Sequence, residues 1–294
     1  MRGKNAILNI ISSFGLQIIT ITCGFIIPKM IIVNYGSNVN GLITSITQFL
    51  KYIVLLEVGF GPVVKSILYK PIANQDKYKI QEILKASEKF FRIIAYIFMA
   101  YIVVLCIILP MIVLNEFDTL FTISLIIIIA ISTFAEYFLG MTYKLYIQAE
   151  QKTYIISNIQ LITLILNTIC TIALIYSGMN IQIVKLATAF IFVLRPILQM
   201  IYVKKKYNID LKNVKDDYNI KQKWYGLAQH IAYIVYNNTD VVILTVFTNI
   251  VEVSVYSIYM LVVSSIKNIV MSFSSGIDAI FGNMIAKRRT REFK

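Results

Sequence analysis

Eight long apolar runs dominate this sequence and leave few folds open to it. Each run is at least as long as the roughly 20 residues that a helix needs to cross the hydrocarbon core of a bilayer. A hydrophobic fraction of 58% and a mean hydropathy of +0.73 agree with this interpretation and argue against a soluble fold. We therefore predict an all-α integral membrane protein with about eight transmembrane helices, at residues 6–33, 41–69, 90–113, 120–146, 154–177, 181–203, 225–247 and 254–284.

Lysine and arginine occur in alternate connections between these runs. The connections at 34–40, 115–119, 178–180 and 248–253 contain neither residue, whereas the intervening connections and both chain ends contain them. Because cationic loops are retained in the cytoplasm during insertion, this alternation predicts a multi-pass protein with a cytoplasmic N-terminus. The pattern divides the chain into three parts: an N-terminal six-helix transmembrane lobe at 1–203, a basic cytoplasmic linker at 204–224, and the start of an incomplete second transmembrane lobe at 225–294.

The net charge of +13 follows from this topology and does not require nucleic acid as a partner. Cys23, Cys106 and Cys170 each lie within an apolar run and have no paired spacing, so we expect no disulfide, metal site or other cofactor. The short connections contain no nucleophile, carboxylate pair or glycine-rich phosphate-binding loop. We therefore expect a transporter and not an enzyme.

Charged residues deep within the runs are the first candidates for a substrate site. An ionisable side chain at the centre of a bilayer costs about 2.5–3.5 kcal/mol on insertion scales, so such residues commonly line a polar cavity. Lys51, Arg195 and Lys267 lie at such depths in the second, sixth and eighth runs. Gln48 lies one helical turn from Lys51 on the same stripe. These residues predict a cationic cavity that suits an anionic substrate.

Polar and acidic residues within the runs complete the predicted site. Asn238 and Asp240 belong to a concentrated polar stretch of the seventh run and are candidate substrate ligands, with a helix-packing network as the alternative. Glu57 and Glu136 are deep anions that either pair with cations across the bundle or couple transport. A kink or hinge near the cytoplasmic end of the second run is predicted by three residues: Gly59, Gly61 and Pro62.

Several segments together resemble one known family over almost the whole chain. They are YGSNVNGL at 35–42, LEVGFGP at 56–62, LYKPIA at 68–73, AEQK at 149–152, NTDVVILT at 238–245 and SVYSIY at 254–259. This set resembles the bacterial polysaccharide transporters, the O-antigen flippase family of the multidrug/oligosaccharidyl-lipid/polysaccharide exporter superfamily. Members of that family have at least twelve helices, so we expect this chain to be truncated at its C-terminus, with only two helices of the second lobe.

The resemblance implies a function in building surface polysaccharide such as O-antigen, capsule or teichoic acid. It implies export, or flipping, of an undecaprenyl-diphosphate-linked oligosaccharide across the bacterial cytoplasmic membrane by alternating access. The implied partners are the lipid-linked oligosaccharide, membrane lipids and other proteins of polysaccharide assembly. Two alternatives stay open: a multidrug or cation exporter of the same architecture, and an inactive fragment or structural membrane protein in which the charges only join helices.

Overall fold

The structure, a computed structural model, describes residues 2–57, 59–211, 214 and 239–267. These residues form helices, and no strand occurs among them. Seven helical segments are long and apolar enough to cross a membrane. The prediction of an all-α integral membrane protein is confirmed. Most of the seventh predicted run, most of the linker and the chain after Lys267 lie outside the described residues.

Nine α-helices form the described part of the predicted six-helix lobe. Their bounds are α1 Arg2–Tyr35, α2 Ser37–Lys51, α3 Val54–Glu57, α4 Phe60–Ala73, α5 Lys77–Ile112, α6 Thr119–Ala135, α7 Met141–Ala149, α8 Thr153–Tyr176 and α9 Ile181–Tyr207. A π-helical turn, Glu136–Gly140, joins α6 directly to α7. Two further helices follow, α10 at 239–247 and α11 at Ile250–Lys267.

The connections that lack lysine and arginine lie together at one end of the bundle. The Tyr35 hydroxyl donates a hydrogen bond to the Met179 carbonyl at 2.6 Å, which joins two of these connections. The Glu116 carboxylate joins two more, because it accepts from the Asn38 side chain at 3.4 Å and from the backbone N–H of Ile250 at 3.0 Å. We call this the lysine-poor end and the opposite one the lysine-rich end.

The second membrane segment is broken, although the sequence indicates one apolar run. Backbone hydrogen bonds shorten to the i→i−3 pattern between Phe49 and Leu56, and α2 ends there. The Tyr101 hydroxyl of α5 donates to the Phe49 carbonyl at 2.9 Å, an inserted side-chain contact of the kind that interrupts helices. A second break separates α3 from α4 at Gly59, whose φ of 90° strongly favours glycine. This break lies at one of the glycines for which the sequence predicts a kink or hinge.

The fourth membrane segment contains the π turn, and a close helix contact lies beside it. A Cβ atom added to Gly140 would overlap the Cβ of Pro196 on α9 and would lie 2.9 Å from its Cα. Only a residue without a side chain lets the two backbones approach so closely. The π turn is therefore fixed against α9. Two of its residues, Glu136 and Tyr137, line the space between α6, α9 and the second membrane segment, whereas Phe138 packs against Tyr96 of α5.

Apolar packing holds the lobe together on the lysine-rich side of this contact. Phe60 at the start of α4 stacks on Phe90 of α5 with ring centroids 3.7 Å apart, and Phe91 meets Phe60 edge-on at 5.4 Å. All three belong to one large core cluster that extends from α2 to α9. Large apolar side chains on α1 and α5 stay exposed on the outside of the bundle, as expected of surfaces that face lipid.

Candidate functional site

A cavity of 590 Å³ lies inside the six-helix lobe. Its walls come from α2 and α3 on one side, from α6, the π turn and α7 on a second, and from α9 on a third. Most of the wall is apolar, but ionisable and hydroxyl side chains are concentrated in it. These are Thr47, Lys51, Glu57, Ser132, Thr133, Glu136, Tyr137, Lys144, Lys185 and Thr188.

Two lysines give the cavity a positive character that its carboxylates do not fully neutralise. Lys51, the last residue of α2, donates to the Gln48 side-chain oxygen at 3.3 Å and has no carboxylate partner among the described residues. Lys185, in the second turn of α9, makes no hydrogen bond or ion pair within the described part of the chain. Three lysines face two glutamates, so the cavity carries one more cation than anions.

The broken second segment and the π turn meet in this cavity through one hydrogen bond. The Tyr137 hydroxyl, in the π turn, donates to a carboxylate oxygen of Glu57 at 2.9 Å. Glu57 is the last residue of α3, immediately before the second break. Irregular backbone at membrane depth is tolerated where it lines a polar cavity, and both irregularities of this lobe do so. The hydrogen bond between Tyr137 and Glu57 joins the two irregular segments within the cavity wall.

The second carboxylate of the cavity is neutralised locally. The Lys144 ammonium of α7 donates to Glu136 at 2.6 Å, two turns along the same segment and across the π turn. The Glu136 side chain is 43% exposed, so the pair borders the open volume and remains accessible to water. With Glu136 paired, Lys51 and Lys185 are opposed only by Glu57. An anion that enters the cavity therefore meets two ammonium groups.

Of the predicted site residues, Lys51, Glu57 and Glu136 are brought together, whereas Arg195 is not. Arg195 lies on α9, but its Nε donates to the Thr163 hydroxyl of α8 at 2.7 Å. Its guanidinium also lies 3.8 Å from the centre of the Phe192 ring. Arg195 does not line the cavity. Its side chain serves the contact between α8 and α9.

Three of the remaining predicted substrate ligands, Gln48, Asp240 and Lys267, do not line the cavity. Gln48 is buried and accepts a hydrogen bond from Lys51, which lines the cavity. Asp240 accepts a hydrogen bond from the Tyr256 hydroxyl at 2.6 Å, so α10 and α11 use it to bind each other. Lys267 is exposed at the last described position of α11, and Asn238 lies outside the described residues.

The predicted hinge residues are divided between flexibility and packing. Gly59 provides the break, as described above. Gly61 packs against α7, since an added Cβ would lie 3.4 Å from a methyl group of Leu145. Pro62 is exposed in the first turn of α4, where a missing N–H costs the helix nothing.

Sequence reasoning missed Lys185, Lys144 and Tyr137 as members of the site. Lys185 is only the fifth residue of its helix, a depth at which a lysine can extend to the membrane surface. A helical pattern was available: Lys185, Thr188, Ala189 and Phe192 recur at spacings of three and four and form the wall of α9. Tyr137 faces the cavity because of the π turn, which the sequence does not predict.

Fold and site together define an all-α integral membrane protein with a charged cavity inside its helical bundle. No protein-family model, curated protein or solved structure matches this chain. Among the described residues, no cluster of His, Cys, Asp and Glu has a composition suited to a metal ion. The arguments on function therefore depend on the cavity.

Proposed function

We propose that this protein is a transporter of the bacterial cytoplasmic membrane that flips an undecaprenyl-diphosphate-linked oligosaccharide for surface polysaccharide synthesis. One observation carries the proposal: a cavity of 590 Å³ within a membrane bundle contains two lysines that form no ion pair with a carboxylate among the described residues. The resemblance of the sequence to polysaccharide transporters supports the same class. Membrane lipids and other proteins of polysaccharide assembly are the partners that this function implies.

The chemistry of the substrate fits such a site. A diphosphate cannot enter hydrocarbon unaided, because the loss of its hydration is not compensated there. A cavity with fixed ammonium groups replaces that hydration with charge-assisted hydrogen bonds while the prenyl chain stays in lipid. The hydroxyl groups of Thr47 and Thr188 lie in the same walls as the two lysines. Each donates its proton to a backbone carbonyl one turn earlier, so its oxygen is left as an acceptor for sugar hydroxyl groups. No covalent step is needed.

Flipping by purified protein tests the proposal. The chain is reconstituted into vesicles with a fluorescent undecaprenyl-diphosphate oligosaccharide, and the fraction that becomes accessible at the opposite leaflet is followed with time. Each charge-assisted hydrogen bond contributes about 1.5–3 kcal/mol, so Lys185→Gln and Lys51→Gln are each expected to lower the initial rate by roughly tenfold or more.

Lys29→Gln is the matched control, because Lys29 is an exposed lysine of α1 that does not line the cavity. It is expected to flip at the parental rate. Equal rates for Lys185→Gln, Lys51→Gln and Lys29→Gln would refute the assignment of this cavity to the substrate. Absence of flipping in the parent protein would refute the function itself.

Glu57 favours one alternative, a multidrug or cation exporter of the same architecture. Its carboxylate faces the cavity and is held by a tyrosine hydroxyl, with no lysine within ion-pair distance among the described residues. A carboxylate of this kind stabilises an organic cation. The two functions predict opposite signs: Lys185→Gln slows transport of an anionic substrate and accelerates transport of a cationic one. Uptake of a fluorescent organic cation into the same vesicles distinguishes them.

A further inference from the structure

Helix α2 has two faces that contact different parts of the protein. Ile43, Thr47 and Leu50 recur at spacings of four and three and line the cavity. Asn40, Gly41 and Ser45 are buried on another side of the same helix, and their contacts go to α10 and α11. The helix is therefore a wall shared by the cavity and by the pair of helices that follows the six-helix lobe.

The contacts between α2 and the following helices are polar and specific. The hydroxyls of Ser45 and Thr245 lie 2.8 Å apart, and Thr245 donates its own proton to the Val241 carbonyl, so Ser45 is the donor. The Asn40 side-chain amide donates to the Ser254 hydroxyl at 2.9 Å. Both contacts are buried. Hydrogen bonds between membrane helices contribute only modestly to stability, so contacts of this kind can break and re-form during function.

Two further contacts hold the same surfaces together. A Cβ atom added to Gly41 would overlap the Ile250 carbonyl and lie 2.7 Å from the Ile250 Cγ2. The backbone of α2 at Gly41 therefore packs directly against the first residue of α11. At the lysine-poor end, Glu116 binds the N–H of Ile250 as well as Asn38 of α2. We call the contacts of Asn40, Gly41 and Ser45 with Ser254, Ile250 and Thr245 the clasp.

Glycines with positive φ flank the shared wall. Gly36 precedes α2 with φ of 92°, and nothing lies within 4 Å of a Cβ added there, so backbone conformation and not packing explains the glycine. Gly59 follows α3 with φ of 90°, beyond the shortened turns that separate α2 from α3. Joints of this kind absorb the backbone changes of hinge motions. Helix α2, which carries Lys51 at its end, lies between Gly36 and these shortened turns and can therefore pivot as a unit.

We propose that α2 couples the cavity to α10 and α11: opening of the clasp tilts α2 and changes access to Lys51 and Lys185. The coupling through α2 regulates access to the cavity described above. It rests on the proposed function only for the identity of the ligand. The clasp closes one side of α2 while the cavity occupies another. A displacement of α11 therefore moves a cavity wall without any change in the residues that line it.

Thiol accessibility tests the coupling without any substrate. In a background with Cys23, Cys106 and Cys170 changed to alanine, Thr188→Cys places one thiol in the cavity wall of α9. Its rate of reaction with a charged maleimide is measured in vesicles with and without Gly41→Ala, which forces α2 and α11 apart. We expect a change of at least about fivefold, the population shift that roughly 1 kcal/mol of clasp free energy produces.

Gly15→Ala is the matched control, because the same added methyl group there meets only a Leu161 methyl at 3.8 Å, an ordinary contact. It is expected to leave the labelling rate unchanged. A labelling rate that is equal in Gly41→Ala, Gly15→Ala and the parent would overturn the coupling, whatever the protein transports.

A reversible cross-link provides the second measurement if Gly41→Ala does not fold. Ser45→Cys with Thr245→Cys places two thiols at the 2.8 Å contact, and oxidation then locks the clasp. Locked protein is expected to lose flipping and to regain it on reduction, whereas Gly15→Cys with Leu161→Cys, within the α1–α8 contact, flips in both states. Full flipping by the locked protein would overturn the coupling and leave the proposed function intact, whereas a parent protein that does not flip leaves the labelling result to decide.

Discussion

Replacement of Gly140 by alanine isolates the contact that positions the π turn. The added Cβ overlaps the Cβ of Pro196 and comes within 2.9 Å of its Cα, so the obstacle is ring and backbone and cannot rotate away. Overpacking of this kind costs typically about 1–3 kcal/mol. Alanine in place of glycine within a helix raises the free energy of unfolding by up to about 1 kcal/mol, which offsets part of this cost. A net loss of roughly 1–2 kcal/mol in the free energy of unfolding is therefore expected.

The loss is measured by titration of the purified protein with SDS in mixed micelles, with helical circular dichroism as the signal. Gly15→Ala is again the control: with its nearest neighbour atom at 3.8 Å, the same substitution is expected to be neutral or stabilising. The expected changes in the free energy of unfolding thus differ between the two variants, although the chemical change is identical. If Gly140→Ala unfolds at the SDS concentration of the parent, the close approach of the π turn to α9 is refuted.

Two further substitutions test individual contacts with the same SDS titration. Tyr137→Phe removes the hydroxyl that binds Glu57 and is expected to lower the free energy of unfolding by about 1–3 kcal/mol. In a Glu57→Gln background the same substitution is expected to cost far less. An equal cost in both backgrounds contradicts the hydrogen bond. Arg195→Gln loses the charge-assisted hydrogen bond to Thr163 and the contact with Phe192. We expect the free energy of unfolding to fall by about 1–3 kcal/mol and the flipping rate per folded molecule to stay unchanged. A lower flipping rate with unchanged stability would indicate that Arg195 belongs to the substrate site.

Hydropathy located the membrane segments because each must satisfy its backbone within hydrocarbon, but it did not locate where the helices begin or break. Helix α5 starts at Lys77, thirteen residues before its apolar run, because Asp76 caps it and Ile80, Ile83 and Leu84 pack into the core. The break after Lys51 has no glycine or proline nearby. It depends on a hydroxyl from another helix, which local sequence does not reveal.

Position along each apolar run selected the candidate charges, but rotation about the helix axis decided their contacts. Lys51, Glu57 and Glu136, selected in this way, line the cavity. Arg195, selected on the same basis, contacts α8, whereas Lys185, near the start of its run, lines the cavity. The π turn adds a further shift in phase that no repeat of 3.6 residues anticipates, and Tyr137 depends on it.

Stability separates the charges that hold helices together from those that are available to a ligand. A charge removed from a good partner leaves that partner unsatisfied, so Arg195→Gln lowers the free energy of unfolding. A partly buried charge without a partner contributes little to stability, because its desolvation is not compensated. Lys185 has no such partner among the described residues, so the Lys185→Gln variant that lowers flipping is expected to be at least as stable as the parent. A charged side chain retained in a membrane cavity at no gain in stability is characteristic of a functional site. If Lys185→Gln unfolded as readily as Arg195→Gln, Lys185 would belong to the scaffold and the anion site would lose its main support.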